Sequence, residues 1–242
     1  MLLAALRDEV CEANHQLAAA GLVSLSFGNA SGLDRASGVL LIKPSGIACD
    51  SVRPDDLVAV AIADGSVVDG SLRPSSDTST HIELYRRFAS IGGVVHTHSS
   101  YATAFAQAQV AIPCLGTTHA DHFDGPVPVS RPLGDDEIDG DYERATGIVI
   151  AETIDALGID PLAMPAVLVA SHGPFTWGST AVEAAANAQA VELVAEMAHR
   201  TLAIAGDAAA LGDRLRQRHF RRKHGSGAYY GQETGSTRSF DS

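Results

Sequence analysis

The segment Gly92-Gly93-Val94-Val95-His96-Thr97-His98 constrains this chain more than any other. Val94 and Val95 are β-branched and apolar, so they read as a buried strand, and they run straight into two histidines spaced two apart. On a strand, residues i and i+2 point to the same face. Two imidazoles leaving one face at a strand end can grip one cation. A pair of solvated loop histidines would not need a buried strand leading into them.

A third ligand comes from the same logic. His172 ends a second apolar segment, Ala166–Ser171, and stands before a Gly-Pro turn. Two buried strands that each deliver histidine at their ends can build a three-imidazole site. Asp77, in Ser-Ser-Asp-Thr ahead of a helical pattern, reads either as a fourth, anionic ligand or as the N-cap of that helix. An open coordination position would let the ion act as a Lewis acid on a carbonyl oxygen. Zinc suits this ligand set, with manganese or cobalt as alternatives.

Leu3, Leu6, Val10, Ala13 and Leu17 recur at helical spacing, and the pattern stops near Gly21. Val23–Phe27, Val39–Ile42 and Leu57–Ile62 read as short strands. Thr78–Phe88 reads as a helix, Gly93–His98 as a strand, and Ser99 as the cap of a short helix reaching Gln107. Further helices are expected over Tyr142–Leu157, Thr180–Ala205 and Leu211–Lys223, with a strand over Ala166–Ser171. No repeat or linker interrupts the pattern before residue 225. The economical reading is one α/β domain over 1–232, with a central mixed sheet and helices on both faces. Residues 233–242 are polar and aperiodic and read as a disordered tail.

Hydrophobic residues make up 45% of the 242 positions and the net charge is -12. That balance disfavours nucleic acid, whose binding rests on neutralising phosphates. No apolar run approaches the ~18 residues that a membrane helix needs. Cys11, Cys49 and Cys114 are odd in number and scattered, as expected of reduced thiols in a cytoplasmic protein.

Small-residue pairs at Gly28-Asn29, Ser45-Gly46 and Ser75-Ser76, with Lys43 before the second, offer amides, hydroxyls and one ammonium. These are what a phosphate monoester requires, although each pair alone is an ordinary turn. Asp121 could be a general base; His119 and His122 could be extra ligands but read better as supporting or surface residues. Arg214, Arg216, Arg218, His219, Arg221, Arg222, Lys223 and His224 form a basic cluster, most of which reads as a solvated helix face. Tyr229-Tyr230 is unusual for a flexible end and implies that something orders it.

Taken together, several segments resemble the class II aldolase family, on its L-ribulose-5-phosphate 4-epimerase branch beside L-fuculose-phosphate aldolase. They are SFGNASGLDR at 26–35, IKPSG at 42–46, RPSSDTSTH at 73–81, IGGVVHTHS at 91–99, GTTHAD at 116–121, SHGPFTWG at 171–178 and RKHGSGAYYGQ at 222–232. The resemblance covers about residues 2–232. It implies an α/β/α fold with a largely antiparallel sheet, a metal held by His96, His98 and His172 with Asp77 beside them, and no nucleotide cofactor. It implies substrate and phosphate contacts from Gly28, Asn29, Lys43, Ser45, Gly46, Ser75 and Ser76, and an acid–base pair of Asp121 and Tyr230. It also implies a cyclic homotetramer with shared sites, in which Asp121 and Tyr230 come from the neighbour. Thr117, Glu143, His219 and Arg222 match lesser positions in that boundary region. His122 and Asp124 depart from the family pattern, where bulkier aromatics are familiar, and the 233–242 tail has no counterpart.

The implied substrate is a phosphorylated ketopentose with its carbonyl at C2. Its C4 proton is not adjacent to that carbonyl, so simple deprotonation cannot invert C4. Cleaving C3–C4 can, because the electrons pass into an enediolate while the other fragment, glycolaldehyde phosphate, turns and is attacked again. A sugar-phosphate aldolase of the same family and a metal-free aldolase-like structural module are the competing readings.

Overall fold

Side chains along the central strands alternate between two cores, and this decides the architecture. The computed structural model describes residues 3–224 together with 228 and 229. Tyr230 and the 233–242 segment lie outside the described residues. In chain order the elements are α1 (Ala4–Ala19), β1 (Asn29–Asp34), β2 (Val39–Ile42), β3 (Val58–Ala61), β4 (Val67–Asp69), α2 (Thr78–Arg87), β5 (Gly93–His96), α3 (Ser100–Ala108), α4 (Thr117–Ala120), α5 (Asp135–Asp139), α6 (Tyr142–Leu157), β6 (Ala166–Leu168), β7 (Pro174–Gly178), α7 (Ala181–Ile204) and α8 (Asp213–Lys223).

The strands form one sheet in the order β4-β3-β2-β1-β5-β7-β6. Every pairing between these strands is antiparallel. The parallel component is an isolated bridge between Val129 and Leu168. Leu40, Ile42, Val58, Val60 and Val94 face one core, built with Ile82, Leu84 and Tyr85 of α2 and Ile150 and Ile154 of α6. Their neighbours Leu41, Ala59 and Val95 face the other, built with Val10, Ala13 and Leu17 of α1 and Ala181, Ala184, Ala185 and Ala188 of α7. A sheet covered on both faces buries its whole strands, so the two-residue alternation shows as a change of core rather than of polarity. Burying a leucine such as Leu40 or Leu41 this completely stabilises by ~1.5–3 kcal/mol.

The alanine stripe at 181, 184, 185 and 188 lets α7 lie unusually close to β5. A Cβ on Gly93 would stand 2.4 Å from the Ala181 Cα and 2.3 Å from the Thr180 carbonyl oxygen. Glycine is therefore required there by close approach of backbones.

Three expectations need correction. Val23–Phe27 is not a strand: Leu25 has φ 56, a left-handed conformation that breaks extension, and Leu25 and Phe27 are exposed. The strand is instead β1, Asn29–Asp34, whose sequence NASGLD looks polar. The second histidine segment does not end a long strand either. β6 stops at Leu168, and His172 sits in the turn between β6 and β7. Ser99 makes no capping hydrogen bond. The Glu192 carboxylate of α7 does that work, accepting from the amides of Tyr101 and Ala102 at 2.9 Å each.

Candidate active site

Strand register brings the site residues to one end of the sheet. Asn29 of β1 pairs with His96 of β5, and His96 pairs with Phe175 of β7. The His96 ring stacks on Phe175 with centroids 4.1 Å apart and planes 14° off parallel. Its Nδ1 lies 3.0 Å from the Pro174 carbonyl oxygen. A carbonyl only accepts, so Nδ1 carries the proton and Nε2 presents a lone pair. That Nε2 is 3.0 Å from Nε2 of His98, just past the strand end.

His172 completes the group: ligand atoms of His96, His98 and His172 all lie within 4.8 Å of one another. A tetrahedral ion with bonds of ~2.0–2.1 Å would separate two ligand nitrogens by about 3.3 Å. The spacing of the first two imidazoles is close to that. Burial pushes His96 down to about 3, despite the Asp77 charge that pulls it up. Burial likewise lowers His98 and His172. Neutral imidazoles with converging nitrogens are what a cation requires.

Asp77 stands at the start of α2 but makes no capping hydrogen bond there. Its Oδ2 instead accepts from Asn29 Nδ2 at 2.6 Å. Burial disfavours its charge, but attraction to His96, His81 and His172 and the bond from Asn29 outweigh this and hold it below the usual carboxylate range. Asp77 thus occupies the N-cap position, as one of the two readings had it, but its carboxylate does no capping and faces the imidazoles electrostatically. Asn29 Oδ1 is buried with no partner, an unused acceptor beside the group.

These residues line a cleft of ≈ 390 Å³ together with Gly28, Lys43, Ser45, Gly46, Ser75 and Ser76. Every loop position read from the sequence as a substrate contact thus meets every position read as a metal ligand. Gly28 is required locally: its φ is 79° and a Cβ would meet Val23 Cγ1 at 2.5 Å. Lys43 is fully buried, and its Nζ donates to the carbonyls of Ser26 (3.3 Å), Pro44 (3.3 Å) and Ile47 (2.5 Å). Its hydrogen bonds brace two of the cleft loops, and its positive charge lies beneath them.

Asp121 does not line the cleft. Its carboxylate is held by Arg222 at 2.8 and 2.5 Å and by His219 at 3.0 Å, with Lys223 nearby at 3.9 Å. Part of the basic cluster of α8 is therefore a clamp on one carboxylate and not a solvated face. Burial opposes the charge of Asp121, but the bonds from Arg222 and His219 hold its carboxyl low. His119 is buried, with Nε2 donating to the Gly125 carbonyl at 2.8 Å.

Sequence reasoning missed Phe27 and Tyr142 as cleft residues. Phe27 tilts against the His98 ring with centroids 6.0 Å apart. The Tyr142 hydroxyl lies 3.2 Å from His172 Nδ1. Phe27 was legible as an aromatic beside Gly28-Asn29. Nothing local marks Tyr142, since the first residue of a helix is usually a structural position.

Residues 8–199 match the family described as Class II Aldolase and Adducin N-terminal domain. The chain is 50% identical over 228 residues to L-ribulose-5-phosphate 4-epimerase UlaF of Salmonella paratyphi C (strain RKS4594), covering 94% of this chain and 99% of that protein. The L-fuculose-1-phosphate aldolase of Thermus thermophilus superposes with a TM-score of 0.65 at 26% identity, covering 85% of this chain and 98% of that one. Another L-fuculose 1-phosphate aldolase shares the fold with a TM-score of 0.74 at 23% identity, covering 90% of this chain and 96% of that one. With this fold, these cleft motifs and these similarities, the chain belongs to the class II aldolase family.

Proposed function

We propose that this chain is a divalent-metal-dependent epimerase that interconverts L-ribulose 5-phosphate and D-xylulose 5-phosphate at C4. The observation that carries the reading is the 50% identity to UlaF, sustained over 94% of the chain. The converging neutral imidazoles support it chemically. Zinc fits His96, His98 and His172 best, with Asp77 adding negative charge beside them; manganese and cobalt are the alternatives. A divalent ion held there supplies Lewis acidity to a substrate carbonyl oxygen.

The chain's own residues do the rest. Gly28, Asn29, Ser45, Gly46, Ser75 and Ser76 offer donors to the substrate and its phosphate, and the Lys43 charge favours an anion among them. They hold glycolaldehyde phosphate while its carbonyl face turns. Asp121, kept ionised by Arg222 and His219, accepts a proton, and Tyr230 donates one on the opposite face. Both come from a neighbouring subunit of a cyclic homotetramer, in keeping with Asp121 lying off the cleft of its own chain.

The test is turnover of L-ribulose 5-phosphate by purified protein loaded in turn with zinc, manganese and cobalt, with products read by NMR. The expected product is D-xylulose 5-phosphate, all five carbons retained. Release of separate dihydroxyacetone and glycolaldehyde phosphate would instead place the chain with the sugar-phosphate aldolases, the second reading, which the structural likeness to the Thermus enzyme favours. A His98→Ala protein should lose both metal and turnover. Full metal content and activity in that variant would overturn the centre, whereas wild type that binds no metal and turns nothing over would favour a non-catalytic module.

A further inference from the structure

Two of the three imidazoles are oriented very differently. His96 is fixed by strand pairing, by its bond to the Pro174 carbonyl at 3.0 Å and by stacking on Phe175. His172 has no strand around it. It follows Ser171, which is held at φ 61, in the turn between β6 and β7, and its ring is half-buried. The hydrogen-bond partner of its ring is the Tyr142 hydroxyl, 3.2 Å from Nδ1.

Tyr142 is well placed to act as a fixed post. It opens α6, where Asp141 accepts from the Arg144 amide at 3.2 Å and the Tyr142 carbonyl accepts from Thr146 Oγ1 at 2.9 Å. Thr80 Oγ1 of α2 donates to the Glu143 carbonyl at 2.6 Å. The two helices touch so closely that a Cβ on Gly147 would stand 2.6 Å from Glu83 Cβ. The same helix pair therefore carries Asp77, at the head of α2, and Tyr142, at the head of α6, into the cleft.

We infer that Tyr142 is a positioning residue for the metal centre: its hydroxyl accepts from Nδ1–H of His172, which fixes the tautomer that leaves Nε2 bare for the ion. His172 then uses the same tautomer as His96, whose Nδ1–H is donated to Pro174. Partners of this kind hold a ligating histidine in orientation, and their loss typically weakens metal binding ~10–100-fold.

The inference rests on the three-histidine reading above, and its test does not use turnover. Metal-stripped wild type and Tyr142→Phe are titrated with cobalt(II), following affinity and the visible d–d bands. Phenylalanine keeps the ring and removes the hydroxyl. The expected result is binding ~10–100-fold weaker with altered band intensities. Wild-type affinity and bands in the variant would overturn the inference while leaving the metal centre standing. If wild type itself binds no cobalt, the centre and the inference fall together. Should the variant fold poorly, long-range proton–nitrogen NMR of zinc-loaded wild type reads the tautomer directly. Protonated Nδ1 on His172 supports the inference, and protonated Nε2 overturns it.

Discussion

Asn29 Nδ2 donates to Asp77 Oδ2 at 2.6 Å, joining the first residue of a central strand to the head of a helix nearly fifty residues later. The same amide nitrogen lies 3.1 Å from Ser75 Oγ, so one side chain ties a substrate loop to the carboxylate that faces the imidazoles. A hydrogen bond to an ionised group is roughly twice as strong as a neutral one. Removing it leaves a half-buried charge with less to hold it.

Asn29→Ala should therefore weaken zinc binding and lower kcat/KM together, by ~10–100-fold. Asn29→Asp should do worse, because a second carboxylate beside Asp77 raises the pKa of one of the pair and favours its protonation. Competition with a chelating dye measures the affinity. Wild-type affinity and turnover in Asn29→Ala would show that the bond to Asp77 is incidental.

Glu192 offers a second test, of structure more than chemistry. Its carboxylate takes the amides of the second and third residues of α3, the helix that begins two residues after His98. A negative charge at a helix N-terminus is favourable, and a buried amide left unbonded costs ~1–3 kcal/mol. Glu192→Ala should lower the unfolding free energy by on the order of 2–3 kcal/mol, while Glu192→Gln, which can still accept, should lose less. Urea denaturation of the two variants reads the difference, and equal stability in all three proteins would remove Glu192 as the cap.

The chemistry of the site was more legible in the sequence than the elements that carry it. His96, His98 and His172 were visible because histidines at the ends of apolar segments have few structural uses. The loops Gly28-Asn29, Ser45-Gly46 and Ser75-Ser76 were visible as turns, and the fold joined them to the imidazoles. β1 was hidden because it sits in a sheet covered by helices on both faces and bonds most of its polar groups internally. Ser31 Oγ, for example, lies 2.7 Å from His81 Nδ1 and 2.8 Å from the Tyr85 hydroxyl. The apolar run at 23–27 misled because Leu25 adopts φ 56, which no side-chain pattern announces. Glu192 and Tyr142 reach partners 91 and 30 residues away, and no local periodicity encodes such pairs.

Buried histidine predicts how stability responds to acid. Burial pushes His119 from 6.5 down to about 4, although its bond to the Gly125 carbonyl works the other way. Its Nδ1 is buried with no partner, so a second proton would be stranded there. Above pH 6.5 the folded and unfolded chains are both neutral at this group and it contributes nothing. As pH falls below 6.5 the unfolded chain takes up the proton first, and stability is lost down to about pH 4. At pH 5 the loss from this residue is about 2 kcal/mol. In metal-free protein, where ligand protonation does not intrude through the ion, His119→Gln should lose about that much less stability than wild type between pH 7.5 and 5. Parallel urea midpoints for the two proteins across that range would refute the assignment.

Asp121 and the histidines of one chain lie in different places, and this makes the shared site testable. Asp121 is clamped by Arg222 and His219 away from the cleft lining, so its proposed proton transfer needs a cleft from another copy. Asp121→Asn and Tyr230→Phe should each lose epimerisation by ~10²–10⁴ with metal content unchanged. Arg222→Leu should act in a graded way. Losing the guanidinium raises the Asp121 pKa, so the acid limb of the kcat/KM profile should move to higher pH. His98→Ala subunits should lack metal, and Asp121→Asn subunits should lack the proposed proton acceptor. Mixed and allowed to exchange, the two should regain activity, because some boundaries then pair an intact histidine group with an intact Asp121. Native mass spectrometry establishes that exchange has occurred. Proven mixed oligomers without any recovered turnover would mean that Asp121 does not serve a neighbour's cleft. An Arg222→Leu profile superimposable on wild type would mean that Asp121 is not the group titrating in it.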